Sequence, residues 1–252
     1  MAESNRGVYV YGIVPADVEI EPDAQGVGEP PAEVRTIEHG DIAALVSAVA
    51  TDKPLGRPED LAAHSALLDG AAGEVPVLPM KFGAVLTGVD QVTEELLGPY
   101  HDEFAAALSE LEGKAEYVLR GRYRQDAVLS EILSENEDLE RLREQIRGKP
   151  EDATRNERMA LGEAINEALA AKRTADTDKA AEVLRELGLT VAAREPTHEE
   201  DAVHLVCLAE TAKQSDLEDA AGRLADEWTD RVDLRLLGPL APYDFVVSGA
   251  PE

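Results

Sequence analysis

The residues in this sequence that could carry chemistry are five histidines, one cysteine and a large number of carboxylates. The histidines are scattered along the chain and are His39, His64, His101, His198 and His204. A protein metal site needs three or four ligands. Asp60 and His64 are four residues apart on a predicted helix, but no third ligand accompanies them, and we interpret the pair as part of a solvated helix face. The sequence therefore predicts no metal site.

Patterns for a nucleophile or for phosphate binding are also missing. Cys207 follows His204 by three residues in a predicted strand, where odd spacing places side chains on opposite faces. Gly26 and Gly28 are close together, but the downstream glycine and lysine of a phosphate-binding loop are absent. The segment His198–Asp201 contains three carboxylates that could hold a cation weakly, but it is interpreted as a solvated loop between two strands. We therefore predict no catalytic residues, no cofactor-binding residues and no enzyme activity.

Charge and composition exclude several classes of partner. The 252 residues include 24 Lys and Arg against 52 Asp and Glu, which gives a net charge of −28. Nucleic acids and anionic lipid membranes bind basic surfaces, so we expect neither as a partner. One cysteine cannot form an intrachain disulfide, and no apolar run approaches the roughly 18 residues that would predict a membrane span. We expect a soluble protein of the reducing cytoplasm.

The elements that must position these residues begin with a pattern of β, loop, β, β, α, β. Val8–Val14 is apolar on both faces, which predicts a central strand. Two strands joined at His39–Gly40 follow, and Pro58 begins a helix. The apolar face of that helix is expected to carry Leu61, Ser65, Leu68 and Ala72. This order indicates a ferredoxin-like domain whose first helix is replaced by a loop.

The last strand of that domain is predicted within EVPVLPMKFGAVL, residues 74–86. Pro76 and Pro79 restrict the strand, expected over Val75–Met80, to a sheet edge because proline has no N–H to donate. A ferredoxin-like sheet places its last strand at an edge, so the motif and the topology agree. Gly83 is expected in a turn, in a backbone conformation that is costly for other residues.

A long helical pattern then begins at Asp90, the expected N-cap, and is interrupted at Gly98–Pro99. Its apolar stripe includes Tyr100, Phe104 and Leu108. The stripe either packs in the core or lines a groove for a partner. With this connecting helix, the N-terminal ferredoxin-like domain is expected to cover residues 1–112.

The second half, residues 113–252, is predicted to be a modified ferredoxin-like domain. Its first crossover is enlarged into a helical subdomain at about residues 125–187. Within it, Ser134 with Glu137 indicates one helix start, and Asp176 or Thr177 indicates another. The predicted fold class is therefore α+β, with two ferredoxin-like domains, the second having a helical insertion in its first crossover.

Three stretches of the chain resemble one known family. They are VYVYGIVPA at Val8–Ala16, VPVLPMKFGAVL at residues 75–86 and LRLLGPLAPYDFV at Leu234–Val246. In type and order they resemble signatures of the gas vesicle protein F/L family (GvpF/GvpL). In that family's ending a second proline is common where this chain has Ala241, so the closing strand is expected to be less rigid than in relatives.

The resemblance implies a minor structural or accessory protein of gas vesicles, the hollow protein shells that give cells buoyancy. It implies binding to the small, hydrophobic major shell subunit, either preventing its aggregation or nucleating the shell. Other gas vesicle accessory proteins are further implied partners. The implied location is the gas vesicle and the cytoplasm.

A second hypothesis is a haem-binding or small-ligand-binding enzyme or sensor built on tandem ferredoxin-like domains. A haem would need an axial ligand, for which His64 and His101 are the candidates. A ligand cleft between such domains rests on the fold alone. Visible absorption of the purified protein separates this hypothesis from an accessory protein without a cofactor.

Overall fold

The computed structural model describes residues 6–20 and 24–246, where the chain forms nine strands and seven α-helices. The strands are β1 (Arg6–Pro15), β2 (Val34–His39), β3 (Ile42–Ala50), β4 (Leu78–Pro79), β5 (Val85–Leu86), β6 (Lys114–Tyr123), β7 (Thr190–Ala193), β8 (Asp201–Glu210) and β9 (Val232–Leu240). The α-helices are α1 (Pro58–Ala72), α2 (Val89–Gln91), α3 (His101–Leu111), α4 (Gln125–Glu135), α5 (Glu137–Ile146), α6 (Arg155–Glu186) and α7 (Gln214–Glu227).

The chain divides by its contacts into two compact units. The first contains the described residues up to Tyr117, together with Leu208–Lys213 and those from Gly238 onward. The second contains Val118–Cys207 and Gln214–Leu237. The predicted domain boundary near Glu112, between residues 1–112 and 113–252, stays a prediction.

The first sheet has the strand order β2-β3-β1-β4, and β5 also pairs with β1. Each of these pairings is antiparallel. β1 is central and is buried from Gly7 to Val14, as its apolar residues on both faces predict. This is the order of a ferredoxin-like sheet with its last strand at an edge, so the predicted topology is confirmed.

The predicted edge strand is present, but it is shorter than Val75–Met80 and is split in two. Only Leu78–Pro79 and Val85–Leu86 pair with β1. Between them the chain turns through Gly83, which has a φ of +97° and confirms the predicted turn. The Met80 N–H donates to the Tyr11 carbonyl (2.8 Å) and the Val10 N–H donates to the Ala84 carbonyl (2.9 Å), so the turn at residues 81–83 alone makes the edge strand discontinuous.

The predicted N-cap at Asp90 is wrong, because the helix begins at Val89 after Gly88 and Asp90 lies in its first turn. The helical pattern continues as a π-helical segment, Val92–Leu97, and breaks before α3 as Gly98–Pro99 predicts. Phe104 and Leu108 are at most 7% exposed and belong to a core cluster with residues of β1 and β3. The core interpretation of this stripe is therefore correct, and the groove interpretation is wrong.

The second sheet has the order β7-β8-β6-β9, which repeats the topology of the first. Helices α4, α5 and α6 lie in the first crossover, where the insertion was predicted. The predicted start at Ser134 is wrong because Asn136 caps α5, accepting hydrogen bonds from the backbone N–H groups of Asp138 (3.2 Å) and Leu139 (3.3 Å).

The predicted helix start at Asp176 or Thr177 is also wrong, because α6 is one helix of 32 residues. Asp176 is buried inside it and accepts hydrogen bonds from the Tyr123 hydroxyl (2.6 Å) and from Arg231 Nη2 (2.9 Å). These partners satisfy a carboxylate that would otherwise favour a helix end.

Candidate functional site

A polar and aromatic cluster lies where β1, α1 and the turn at Gly83 meet in the first unit. The Tyr9 hydroxyl is 2.9 Å from His64 Nδ1 and accepts a hydrogen bond from the Gly83 N–H at 3.1 Å. On the other side of the ring, His64 Nε2 is 2.8 Å from the Tyr243 hydroxyl. Phe82 packs edge-on against His64, with ring centroids 5.5 Å apart. We call Tyr9, His64, Phe82 and Tyr243 the tyrosine–histidine cluster.

The hydrogen bonds of the cluster indicate how its protons are placed. Because Gly83 donates to the Tyr9 hydroxyl, that hydroxyl can donate to His64 Nδ1, and His64 Nε2–H then donates to Tyr243. Burial lowers the pKa of His64 and raises that of Tyr9 to about 12. Burial also raises the pKa of Tyr243. At neutral pH all three groups are therefore uncharged, which suits a structural contact better than acid–base chemistry.

Tyr11 and Asp60 connect this cluster to the neighbouring loops. The Tyr11 hydroxyl is 2.8 Å from Ser47 Oγ and accepts a hydrogen bond from the Val27 N–H at 2.7 Å. Asp60 accepts hydrogen bonds from the backbone N–H groups of Gly28 (3.0 Å) and Arg57 (3.1 Å). The Arg57 guanidinium, followed by these N–H groups, holds the pKa of Asp60 at about 2. Asp60 thus remains a carboxylate that fixes two loops at the start of α1.

The interpretation of Asp60 and His64 as a solvated face is wrong. Asp60 is 2% exposed and His64 is 3% exposed, whereas Leu61, predicted on the apolar face, is 47% exposed. The buried face of α1 consists of Asp60, His64, Leu68 and Ala72. A signal for this arrangement was present in β1, where Tyr9 and Tyr11 point to the same face. Buried tyrosine hydroxyls need hydrogen-bond partners, and a neighbouring helix can supply them.

The other residues with chemical potential are also held by structural contacts. His101 Nε2 is 2.8 Å from Asp41 Oδ1, and its Nδ1 is 3.1 Å from Asp102 Oδ1. Since both ring nitrogens of His64 and of His101 are hydrogen-bonded, neither is presented as an axial haem ligand. His204 Nδ1 is 3.4 Å from the carbonyl oxygen of Glu195, and Cys207 is fully buried.

The predicted loop at 198–201 is organised by Asp201 rather than simply solvated. This buried carboxylate accepts hydrogen bonds from the backbone N–H groups of Thr197 (2.7 Å) and His198 (2.9 Å). The N–H of Gly28 is used by Asp60, and that of Gly26 donates to the Ala32 carbonyl at 2.8 Å. Within residues 6–20 and 24–246, no group of three or more His, Cys, Asp or Glu side chains is arranged to hold a metal ion.

A second feature of the first unit is the segment Lys81–Val89, which we call the β5 edge. Exposed and partly buried residues alternate along it, although only Val85–Leu86 is strand, with the Gly83 turn before it and the start of α2 at Val89 after it. Its exposed apolar side chains are Val85 (38%) and Val89 (41%). β5 pairs with β1 on one side, so the outer side of this segment is an edge of the sheet.

The tyrosine–histidine cluster joins residues from all three stretches that resemble the gas vesicle protein F/L family. Tyr9 comes from the first, Phe82 and Gly83 from the second, and Tyr243 from the third. A family model described as Gas vesicle synthesis protein GvpL/GvpF matches residues 7–247. The chain belongs to the GvpL/GvpF family. The segments that carry the resemblance therefore meet around one buried histidine.

Individual relatives agree with this assignment. Gas vesicle protein F of Streptomyces sp. (strain CB03234) is 31% identical over 242 residues, covering 94% of this chain and 98% of that protein. Gas vesicle protein F of Dolichospermum flosaquae is 22% identical, covering 94% and 96%. Gas vesicle protein L of the same Streptomyces strain is 32% identical over 131 residues, covering 46% of this chain and 48% of that protein.

Two solved structures share the fold. The crystal structure of GvpF from Anabaena sp. PCC7120 has a TM-score of 0.76 at 24% identity, covering 95% of this chain and 97% of that one. The crystal structure of GvpF from Microcystis aeruginosa has a TM-score of 0.74 at 22% identity, covering 95% and 98%. The predicted α+β fold class is confirmed.

Membership of the GvpL/GvpF family supports an accessory role in gas vesicles and association with them. This family is one of gas vesicle proteins rather than a known enzyme family. In the described part of the chain, no helix has both the length and the apolar character needed to cross a membrane.

Proposed function

We propose that this protein binds the small, hydrophobic shell subunit of gas vesicles and keeps it soluble until it joins the shell. A small apolar subunit aggregates unless its apolar surface is covered. A partner with a net charge of −28 would give the complex a strongly anionic exterior, and charge repulsion would oppose aggregation. Membership of the GvpL/GvpF family is the observation that carries this proposal.

We further propose that the shell subunit docks on the β5 edge by adding a strand to it. An open sheet edge offers unpaired backbone groups, and strand addition is a common way of binding an extended segment. Val85 and Val89 would supply apolar contacts beside the added strand. The stripe with Phe104 and Leu108 is used in the core, so the β5 edge replaces it as the candidate docking surface.

Co-expression with the shell subunit tests this proposal. The wild-type protein should raise the soluble fraction of the shell subunit and co-purify with it. Val85→Lys should reduce co-purification at least tenfold, because it places a charge in the apolar contact. The matched control is Leu61→Lys, which makes the same change at an exposed site on α1.

Two further results would separate the alternatives. If the protein nucleates the shell instead, its gene deletion should abolish vesicles, while the soluble shell subunit in cells stays unchanged. If the two proteins fail to co-purify at low and at high salt, and deletion strains form normal vesicles, the proposal is wrong.

A further inference from the structure

β9 forms one edge of the second sheet, and its contacts with β6 define its register. The Arg124 N–H donates to the Arg231 carbonyl at 2.9 Å, which makes these two residues a hydrogen-bonded pair. A Cβ at Gly121 would be 3.0 Å from Val232 Cγ1 and 3.2 Å from Leu234 Cδ1, and a Cβ at Gly238 would meet the Tyr117 ring. The Arg124–Arg231 bond and the Tyr117–Gly238 contact fit one antiparallel register, in which Gly121 is opposite Leu234 and next to Val232.

This register determines which backbone groups of β9 point outward. In an antiparallel pair, alternate residues direct their N–H and C=O groups toward the partner strand. Asp233 and Arg235 therefore bond to β6, while Val232, Leu234 and Leu236 direct theirs away from it. In the described part of the chain, no residue outside the sheet hydrogen-bonds to the backbone of residues 233–237.

The side chains of β9 carry opposite charges two residues apart. Asp233 and Arg235 are exposed and share the face opposite to that of Leu234. Arg124 donates to Asp233 through Nε (3.0 Å) and Nη2 (2.6 Å), and both bonds end on Oδ1. Arg124, and to a smaller extent Arg235, lowers the pKa of Asp233, but among the described residues Asp233 Oδ2 accepts no hydrogen bond and Arg235 forms no hydrogen bond or close ion pair.

We propose that two copies of this chain associate by pairing β9 with β9 in antiparallel orientation, centred on Leu234. In that register Leu234 pairs with its copy, and Val232 pairs with Leu236 through outward-facing backbone groups. Asp233 of each copy then lies opposite Arg235 of the other copy, so the two-fold axis generates two such charge pairs. Opposite charges directly across a strand pair stabilise it.

The same charges disfavour the neighbouring registers. Moving the centre to Arg235 places two arginines opposite each other, and moving it to Asp233 places two aspartates opposite each other. Like charges at such positions destabilise a strand pair. The charge pattern therefore selects a second copy of β9, in one register, as the strand that fits this edge.

The association should be weak and should depend on salt. A single added strand buries less surface than a standard stable interface, so the dissociation constant should be micromolar or weaker. Each copy has a net charge of −28, so the two copies repel each other at long range. Salt screens that repulsion more than it weakens close contacts, and the dimer fraction should rise from low to physiological ionic strength.

Sedimentation velocity over a range of micromolar concentrations tests the proposal. The wild type should shift from 27.1 kDa toward twice that mass as the concentration rises. Leu234→Pro removes an outward N–H that the pairing with β6 does not use, so it should abolish the dimer. Arg235→Glu should also abolish it by placing like charges across the interface. Arg223→Glu, at an exposed site on α7, makes the same charge change and should leave the dimer unchanged.

Circular dichroism of each variant establishes whether it is folded. If Leu234→Pro fails to fold, the test rests on comparing the dimer fraction of Arg235→Glu with that of Arg223→Glu. A wild type that stays monomeric at all concentrations and salt conditions would overturn the proposal. A dimer that Arg235→Glu leaves as stable as in the wild type would overturn it too.

Discussion

Replacing Tyr9 by phenylalanine should destabilise the first unit through one lost oxygen atom. Tyr9 is 0% exposed, and its hydroxyl bonds to both His64 Nδ1 and the Gly83 N–H. A buried polar group left unpaired costs about 1–3 kcal/mol. Gly83 is exposed, so water can reach its N–H more easily than it can reach the ring nitrogen. We expect Tyr9→Phe to lower the free energy of unfolding by about 1–3 kcal/mol, the cost of leaving His64 Nδ1 unpaired.

Two other tyrosines provide a graded comparison for the same chemical change. Tyr243 also bonds to His64, but it is 40% exposed and water can replace its hydroxyl. Tyr243→Phe should therefore cost only about 0.5–1.5 kcal/mol. Tyr100 has no hydrogen-bond partner for its hydroxyl among the described residues, and Tyr100→Phe should stay within about 0.5 kcal/mol of the wild type.

Urea denaturation followed by far-ultraviolet circular dichroism measures these differences. Trp228 is the only tryptophan in the sequence and lies in the second unit, so its fluorescence monitors that unit separately. The Tyr9→Phe effect should appear in the dichroism signal more than in the fluorescence. Equal losses for Tyr9→Phe and Tyr100→Phe would refute the view that His64 depends on its tyrosine partners.

The other predictions concern the turn and the pH dependence. Gly83→Ala should lower the free energy of unfolding by about 1–2 kcal/mol, because its φ of +97° is costly for alanine. Gly70→Ala inside α1 should raise it by about 0.5–1 kcal/mol, because alanine favours a helix more than glycine does. Both sites have open space for a methyl group, so a shift of the melting temperature in the same direction for both variants would contradict this prediction. Burial lowers the pKa values of His64 and His204, so the unfolded chain binds protons that the folded chain does not, and stability should fall as pH drops below about 6.5. His101, whose pKa Asp102 and Asp41 raise, acts in the opposite direction and is only partly buried. His64→Gln should flatten the stability profile between pH 7.5 and 5.5, and an unchanged slope would argue against a buried neutral His64.

Much of the fold could be predicted because its signals are local. The two apolar faces of β1 indicate a central strand, the prolines of residues 74–86 indicate an edge, and Gly98–Pro99 indicates a break. Each of these features depends on residues within one segment. The strand order follows from the sequence of elements once the edge and the centre are known.

The buried polar contacts could not be predicted, because they depend on segments far apart in the chain. From the local sequence, Asp60 and His64 are interpreted as a solvated pair. The hydrogen-bond partners of His64 are Tyr9 and Tyr243, which come from opposite ends of the sequence. Asp176 is likewise predicted as a helix cap from the local sequence, whereas in the structure its carboxylate is bonded to Tyr123 and Arg231. In both cases a long-range hydrogen bond reverses the local preference.

Hydrogen–deuterium exchange of the protein, free and bound to the shell subunit, tests the central proposal most directly. Strand addition at the β5 edge would pair backbone amides that are otherwise open to solvent. The account predicts slower exchange upon binding in peptides that cover residues 81–89. Exchange in peptides that cover α1 should change little. Protection elsewhere, with unchanged exchange at residues 81–89, would contradict it.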